Sequence, residues 1–247
     1  MCELCAANAS TSRIARRNIL KLAAFAAAGL AIAPRAFAKE TKEKKAPPKP
    51  ENVLSPDAAL DRLMKGNARY VEGISKRHDF SHEREALSKG QNPFAAVLSC
   101  ADSRIAPELC FDTARGDVFV CRVAGNFADE EIIASLEYAV SVLNTPLIVV
   151  LGHEACGAVD ATIKSIKDGS TLPGHLPALV HALTPAVEAA QKQPGDLLAN
   201  ATRSNVAMNV DRLKTTAPIL KAAADDKKIR VVGGVYALKT GRVELLS

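Results

Sequence analysis

Two short stretches of the sequence carry the side chains best suited to chemistry. Cys100 is followed closely by Asp102 and Arg104, and about fifty residues later His153 is followed by Cys156. Two thiolates and an imidazole are ligands that zinc accepts in proteins, and three protein ligands leave a fourth position for water. Neither the carboxylate nor the guanidinium is needed merely to hold a metal. The five residues therefore indicate a catalytic zinc site, with one zinc per chain.

Asp102 and Arg104 are the candidate catalytic residues of this site. Two thiolates weaken the pull of zinc on bound water relative to three neutral imidazoles, so a neighbouring group must help. The Asp102 carboxylate can accept a hydrogen bond from the bound hydroxide, or move to zinc as a fourth ligand that closes the site. Arg104 would hold this carboxylate ionised and aimed, preferably through two hydrogen bonds. We expect an open site when Asp102 pairs with Arg104.

Taken singly, each of these residues has a simpler interpretation. A lone cysteine is more often a core residue than a ligand, and an Asp–Arg pair is more often a loop ion pair. We interpret Cys110 and Cys121, which lie in apolar surroundings, as core thiols outside the site. Two disulfides are the alternative use of the four cysteines after the leader, but a domain of this size does not need them. We expect surface positions for His78, His82, His175 and His181.

Short apolar runs alternate with amphipathic stretches after residue 93 and predict an α/β fold. Buried strands are predicted at residues 95–99, 117–123, 147–151 and 229–233. Helices are predicted at residues 56–72, interrupted or weakened at Gly66, and at 129–143, 156–167, 177–191 and 203–224. This alternation is typical of a mostly parallel central β-sheet flanked by α-helices. Cys100 and His153 would then follow two strands whose carboxyl ends meet at one edge of the sheet, with Cys156 in the next helix's first turn.

Residues 122–126, Arg-Val-Ala-Gly-Asn, end one of these strands. The Gly-Asn pair predicts a turn that could line the mouth of the site. An ordinary connection between a strand and a helix is the simpler interpretation of this stretch.

The first 38 residues predict a signal peptide for export. Arg16 and Arg17 precede an apolar stretch at residues 22–33, and residues 36–38 form a small-x-small cleavage signal. The paired arginines resemble a bacterial twin-arginine signal, which predicts a periplasmic or otherwise exported protein. The apolar stretch is too short to span a bilayer, so we expect no stable membrane insertion after cleavage. The Lys/Pro-rich residues 39–50 predict a disordered linker, and residues 51–247 a single catalytic domain.

The net charge of +5 does not indicate a nucleic-acid-binding protein. Residues 1–38 contribute +4 and residues 39–50 contribute +3, so the remainder of the chain carries −2. Because the basic character belongs to the leader and the linker, the folded part offers no basic surface for nucleic acid.

Four stretches in the same order resemble the β-class carbonic anhydrases. They are LSCADSR at 98–104, GDVFVCRVAGN at 116–126, SLEYAV at 135–140 and GHEACGAV at 152–159. The likeness extends from about residue 60 to residue 246 and includes residues 233–236. It implies a zinc enzyme that interconverts carbon dioxide with bicarbonate and a proton by attack of zinc-bound hydroxide. In that family pattern Cys100, His153 and Cys156 are the zinc ligands, and the dyad of Asp102 and Arg104 gates and orients the zinc-bound water.

The resemblance also implies a sheet of four parallel strands extended by a further edge strand. It implies a homodimer, or a larger dimer-based oligomer, in which an N-terminal helix packs on the partner; residues 56–72 match that helix. The sequence departs from the family at two points. It has no tryptophan, so the inhibitory bicarbonate site that uses one in some members is not expected. Val123 stands where the strand-end motif usually has Asn.

Two alternative functions stay open at this point. Close relatives of the family hydrolyse carbon disulfide or carbonyl sulfide on the same fold through a narrowed entrance. A non-catalytic zinc or thiol sensor would keep the three ligands but fill the open position, and the intact pair of Asp102 and Arg104 argues against it.

Overall fold

The computed structural model describes residues 47–246. The predicted signal peptide at 1–38 and the predicted linker as far as residue 46 lie outside these residues. The end of the predicted linker belongs to the fold, because the Lys49 ammonium is buried and pairs with the Asp117 carboxylate at 3.1 Å. A 3-10 helix then starts at Pro50. Lys49 and Pro50 are therefore ordered parts of the domain, ahead of the predicted boundary.

One β-sheet organises the described residues. Its strands are β1 (Ala95–Ser99), β2 (Val118–Arg122), β3 (Leu147–His153), β4 (Arg230–Tyr236) and β5 (Val243–Leu245), in the spatial order β2-β1-β3-β4-β5. The first four are parallel, and β5 pairs antiparallel with β4. This arrangement confirms the predicted sheet of four parallel strands with an additional edge strand.

Helices cover both faces of the sheet. They are the 3-10 helix Pro50–Asn52, α1 (Pro56–Val71), α2 (Phe80–Leu87), α3 (Pro107–Cys110), α4 (Glu130–Ser141), α5 (Gly157–Asp168), α6 (Leu176–Ala190), α7 (Leu197–Thr215) and α8 (Ile219–Asp225). Successive side chains of β1 point to opposite faces, as a strand requires. Val97 packs in the cluster that contains Leu63 of α1, whereas Leu98 packs in the cluster that contains Leu136 of α4 and Val206 of α7.

Helix α1 is continuous, so an interruption at Gly66 is wrong. The helix starts after Ser55, whose hydroxyl accepts a hydrogen bond from the Ala58 amide. Gly66 is required for a tertiary reason, because a Cβ at this position would lie 1.8 Å from the carbonyl oxygen of Phe111. The buried face of α1 packs on its own sheet, and packing of this helix on a partner stays a prediction.

The helix predicted at residues 203–224 is two helices, α7 and α8. Helix α7 starts earlier than predicted because the Asp196 carboxylate accepts a hydrogen bond from the Ala199 amide at 2.7 Å and caps it. Helix α8 starts after Pro218, which has no amide hydrogen to continue the preceding helix.

Helices α2 and α3 were not among the predicted elements. No helix within residues 47–246 has both the length and the apolar composition to cross a bilayer.

Candidate metal centre

Three buried donor groups meet at the carboxyl ends of β1 and β3. Cys100 directly follows β1, His153 is the last residue of β3, and Cys156 is the N-cap residue of α5. The two strands are parallel neighbours in the sheet, so their ends bring the first two residues together. The two sulfur atoms and a ring nitrogen lie within 4.8 Å of one another, and this group could hold a metal ion.

The imidazole of His153 is oriented for a ligand. The ring is completely buried, and its Nδ1 lies 2.8 Å from the carbonyl oxygen of Glu154. A carbonyl oxygen can only accept, so Nδ1 carries the proton and Nε2 keeps its lone pair. Nε2 is buried without a hydrogen-bond partner. Since a buried polar atom without a partner is costly, this nitrogen fits a metal that would occupy its lone pair.

The two thiols also fit a divalent cation. The thiol of Cys156, the ring of His153 and the amide of Gly125 all act on Cys100, and they lower the pKa of Cys100. The neighbouring Cys100 thiolate and burial raise the pKa of Cys156. Two adjacent buried sulfurs therefore do not both ionise on their own. A bound cation removes this conflict, and the first-turn amides of α5 favour the Cys156 thiolate as well.

Asp102 and Arg104 form a bidentate ion pair beside these donors. Arg104 donates from Nε to Oδ1 at 2.9 Å and from Nη2 to Oδ2 at 2.7 Å, and its backbone amide also reaches Oδ1. This guanidinium holds the pKa of the Asp102 carboxyl well below its usual range. Asp102 Oδ2 lies 3.9 Å from Nε2 of His153. The carboxylate is thus ionised, oriented and adjacent to the donor cluster, in the arrangement expected of an open site.

Arg122 holds the loop that carries Cys100 and Asp102. Its guanidinium donates to the carbonyl oxygen of Cys100 at 2.9 Å, of Asp102 at 2.7 Å and of Ile105 at 2.9 Å. The planar fork of an arginine suits such multiple contacts. Sequence reasoning did not select Arg122, and its only signal was its place at the start of the Arg-Val-Ala-Gly-Asn stretch.

Gly125 contacts a candidate ligand directly. Its amide donates to the Cys100 sulfur at 3.2 Å. Its φ is +89°, and a Cβ here would lie 2.8 Å from a methyl carbon of Leu183. The predicted turn at residues 122–126 therefore does more than connect a strand to a helix, because its backbone is part of the surroundings of the sulfur.

The structure separates the other two cysteines within residues 47–246 from the centre. Cys110 and Cys121 are free, buried thiols in the clusters on opposite faces of the sheet. Burial raises the pKa of both, to about 11 for Cys121. The prediction that they are core thiols is confirmed, and the alternative of two disulfides is wrong.

The remaining histidines differ in their exposure to solvent. His175 and His181 are exposed, as predicted. His78 is instead half-buried, with Nδ1 3.9 Å from Oε1 of Glu83, because helix α2 brings this carboxylate against it. The side chain of His82 lies outside the described part of the chain.

Comparison with known proteins identifies the family. The carbonic anhydrase family profile matches residues 95–243. A carbonic anhydrase of Mycolicibacterium smegmatis is 38% identical over 194 residues, which is 78% of this chain and 94% of the relative. Carbonic anhydrase 2 of Mycobacterium tuberculosis is 37% identical, over 77% of this chain and 93% of the relative.

A solved structure agrees with these relatives. The β-carbonic anhydrase of Coccomyxa, solved with acetazolamide, is 27% identical with a TM-score of 0.57, and the match covers 77% of this chain and 82% of that one. The residues matched by the family profile, 95–243, include the complete donor cluster of Cys100, His153 and Cys156. The chain belongs to the β-carbonic anhydrase family.

Proposed function

We propose that this protein catalyses the zinc-dependent, reversible hydration of carbon dioxide to bicarbonate and a proton. The observation that carries the proposal is the donor cluster itself, two thiols and an unpartnered imidazole nitrogen within 4.8 Å, with an ionised Asp102 held beside it. Zinc, when bound, supplies the Lewis acidity that activates water for attack on carbon dioxide. Membership of the family supports this reaction and this metal.

Each residue has a defined role in this proposal. Cys100, His153 and Cys156 hold the metal, and their burial keeps competing water away from the sulfurs. Asp102 has both oxygens engaged by Arg104 yet keeps lone pairs to accept a hydrogen bond from the reacting water. Leaving Arg104 would cost Asp102 two charge-assisted hydrogen bonds, so the pair opposes entry of the carboxylate into the metal site.

The alternative functions are not favoured. The relatives that match most of the chain are named as carbonic anhydrases, which does not favour hydrolysis of carbon disulfide or carbonyl sulfide. A zinc or thiol sensor has no need of a bidentate Asp102–Arg104 pair beside the metal.

A stopped-flow assay of carbon dioxide hydration tests the proposal. The protein is loaded with zinc to one metal per chain, and proton release is followed with a pH indicator at alkaline pH. We expect rapid hydration, and little sulfide release in a parallel assay with carbon disulfide. A fully loaded protein that hydrates no carbon dioxide would contradict the proposal, whereas sulfide release alone would support the alternative substrate.

We also propose that the enzyme acts in the periplasm or another exported location. The support is the pattern of Arg16, Arg17, the apolar residues 22–33 and the cleavage signal at 36–38. A twin-arginine route exports folded proteins, so the metal could occupy the thiolates before export. We expect the protein purified from its host to begin near residue 39 and to fractionate with the periplasm. A cytosolic protein that begins at Met1 would refute export.

Finally, we propose a homodimer or a larger assembly built from dimers. The support is the resemblance to family members that dimerise partly through an N-terminal helix, which residues 56–72 match. Leu109 on α3, Tyr138 on α4 and Val142 directly after α4 are exposed apolar side chains, with exposed fractions of 67%, 46% and 55%. Sedimentation equilibrium should give at least twice the mass of the mature chain, and a monomer at micromolar concentration would contradict the assembly.

A further inference from the structure

The turn at residues 123–126 presents an amide to a candidate metal ligand. The Asn126 amide donates to the Val123 carbonyl oxygen at 2.9 Å, and of the two central residues only Gly125 has a positive φ, +89°. These features define a type II turn, which differs from a type I turn by a flip of the central peptide. In the observed form the Gly125 amide faces the Cys100 sulfur. In the flipped, type I form, a carbonyl oxygen would face the Cys100 sulfur in place of the Gly125 amide.

A buried side chain on helix α7 holds this turn. The Nδ2 atom of Asn205 donates to the carbonyl oxygen of Gly125 at 2.8 Å, and Asn205 is only 2% exposed. The two residues are 80 positions apart in the chain. Asn205 therefore fixes the peptide that follows Gly125, next to the peptide whose amide reaches the sulfur.

A second asparagine fixes the orientation of the first. Asn209 donates from Nδ2 to Oδ1 of Asn205 at 3.0 Å, and its own Oδ1 accepts from the Ala128 amide at 2.8 Å. Asn209 donates to the side-chain oxygen of Asn205. The side-chain nitrogen of Asn205 must therefore face Gly125. The donors of Ala128, Asn209 and Asn205 thus lead in one direction to the carbonyl oxygen of Gly125. Hydrogen bonds aligned in this way strengthen one another in a buried environment.

We propose that Asn205 is a positioning residue of the metal centre, which holds the turn in the form that presents the Gly125 amide to Cys100 Sγ. The amide withdraws charge from the sulfur, so the thiolate donates less charge to the metal. This effect offsets part of the charge that two thiolates bring to the site and preserves the Lewis acidity of zinc. The inference rests on the metal-binding role of Cys100 in the proposed function.

The hydrogen bond can be tested in the unaltered protein. Loading with ¹¹³Cd in place of zinc should give a scalar coupling in the NMR spectrum between ¹¹³Cd and the Gly125 amide proton, transmitted through Cys100 Sγ. A cadmium-loaded protein without this coupling overturns the present inference and leaves the proposed function intact. A protein that binds no metal overturns both.

The role of Asn205 is tested with Asn205→Leu, which preserves the size of the side chain and removes the donor. We expect the metal affinity to fall about 10- to 100-fold, the range for residues that support metal ligands. In the cobalt(II)-loaded variant the thiolate-to-cobalt charge-transfer band should move to longer wavelength, because the sulfur regains charge. If this variant does not fold, Asn205→Ala, which removes the donor without adding apolar bulk, is measured in its place.

Thr202→Val is the matched control. Thr202 lies on the same helix, is 3% exposed and has a hydroxyl without a hydrogen-bond partner. Its replacement should leave the metal affinity and the cobalt band unchanged. A lower melting temperature of Asn205→Leu with an unchanged cobalt band and metal affinity would show that Asn205 only stabilises the fold, and would overturn the proposal.

Discussion

Arg104 joins Asp102 to the second loop of the metal centre. Its Nη2 atom donates to Oδ2 of Asp102 at 2.7 Å and to the carbonyl oxygen of Ala155 at 3.1 Å. Ala155 lies directly before Cys156, and Asp102 lies two residues after Cys100. The guanidinium therefore aims the carboxylate and connects the loops that carry the two thiols.

Replacing the carboxylate should separate metal binding from turnover. We expect Asp102→Ala to retain about one zinc per chain and to lower kcat/KM by about 100-fold or more, since the reacting water loses the group that orients it. Zinc content by elemental analysis and stopped-flow hydration measure the two quantities. Loss of zinc in proportion to activity would instead make Asp102 a structural ligand.

Replacing one of the two ligand thiols should abolish both metal binding and turnover. Cys156→Ser keeps the shape of the buried side chain but supplies a hydroxyl, which is a far weaker zinc ligand than a thiolate. We expect no stoichiometric zinc after dialysis against a chelator, and no hydration above background. Cys121→Ser is the control, because this cysteine is also buried but lies outside the cluster. Zinc loss from the control as well would point to a disturbed fold.

The ion pair should make a pH-dependent contribution to stability. Arg104 holds the Asp102 pKa well below its ordinary value of 3.8. The unfolded state therefore binds more protons near and below that value, so the stabilisation is complete above about pH 5 and is lost as the pH falls below about 4. Because Arg104 is half exposed, we expect the contribution to stay below about 1 kcal/mol.

Urea denaturation of the metal-free protein and of Asp102→Asn at a series of pH values measures this contribution. The difference in unfolding free energy should shrink as the pH falls from about 5 to below about 4. Taking the difference cancels the titrating groups that do not interact with Asp102; His153, whose raised pKa depends in part on Asp102, titrates above this range. A difference that grows as the solution becomes more acidic would contradict the expected sign.

The close approach of α1 to the Phe111 carbonyl can be tested with Gly66→Ala. The added Cβ would lie 1.8 Å from a backbone oxygen, so the helix must move. We expect a loss of roughly 1–3 kcal/mol of unfolding free energy, despite the better helix propensity of alanine. Gly157→Ala is the control for stability, since nothing lies within 4 Å of its Cβ position. Unchanged stability of Gly66→Ala would mean that the helix adjusts freely.

Much of the architecture can be read from the sequence, because buried parallel strands are short apolar runs bounded by turns. The bounds of β1 were predicted correctly, and those of β2 to within one residue at each end. The end of β4 was missed by three residues, since pairing with β5 lengthens it. The division of α7 from α8 was also missed, although Pro218 was visible, because apolar periodicity continues across the break.

The sequence by itself determined the donor types and their positions near strand ends, although His153 is the last residue of β3 and does not follow the strand as predicted. The tertiary structure alone decided how those donors are supported. The contacts of Arg122 with the Cys100 loop, of Asn205 with Gly125 and of Phe111 with Gly66 join residues 17 to 80 or so positions apart. Periodicity records only which face of an element is buried, whereas such contacts depend on how separate elements pack together.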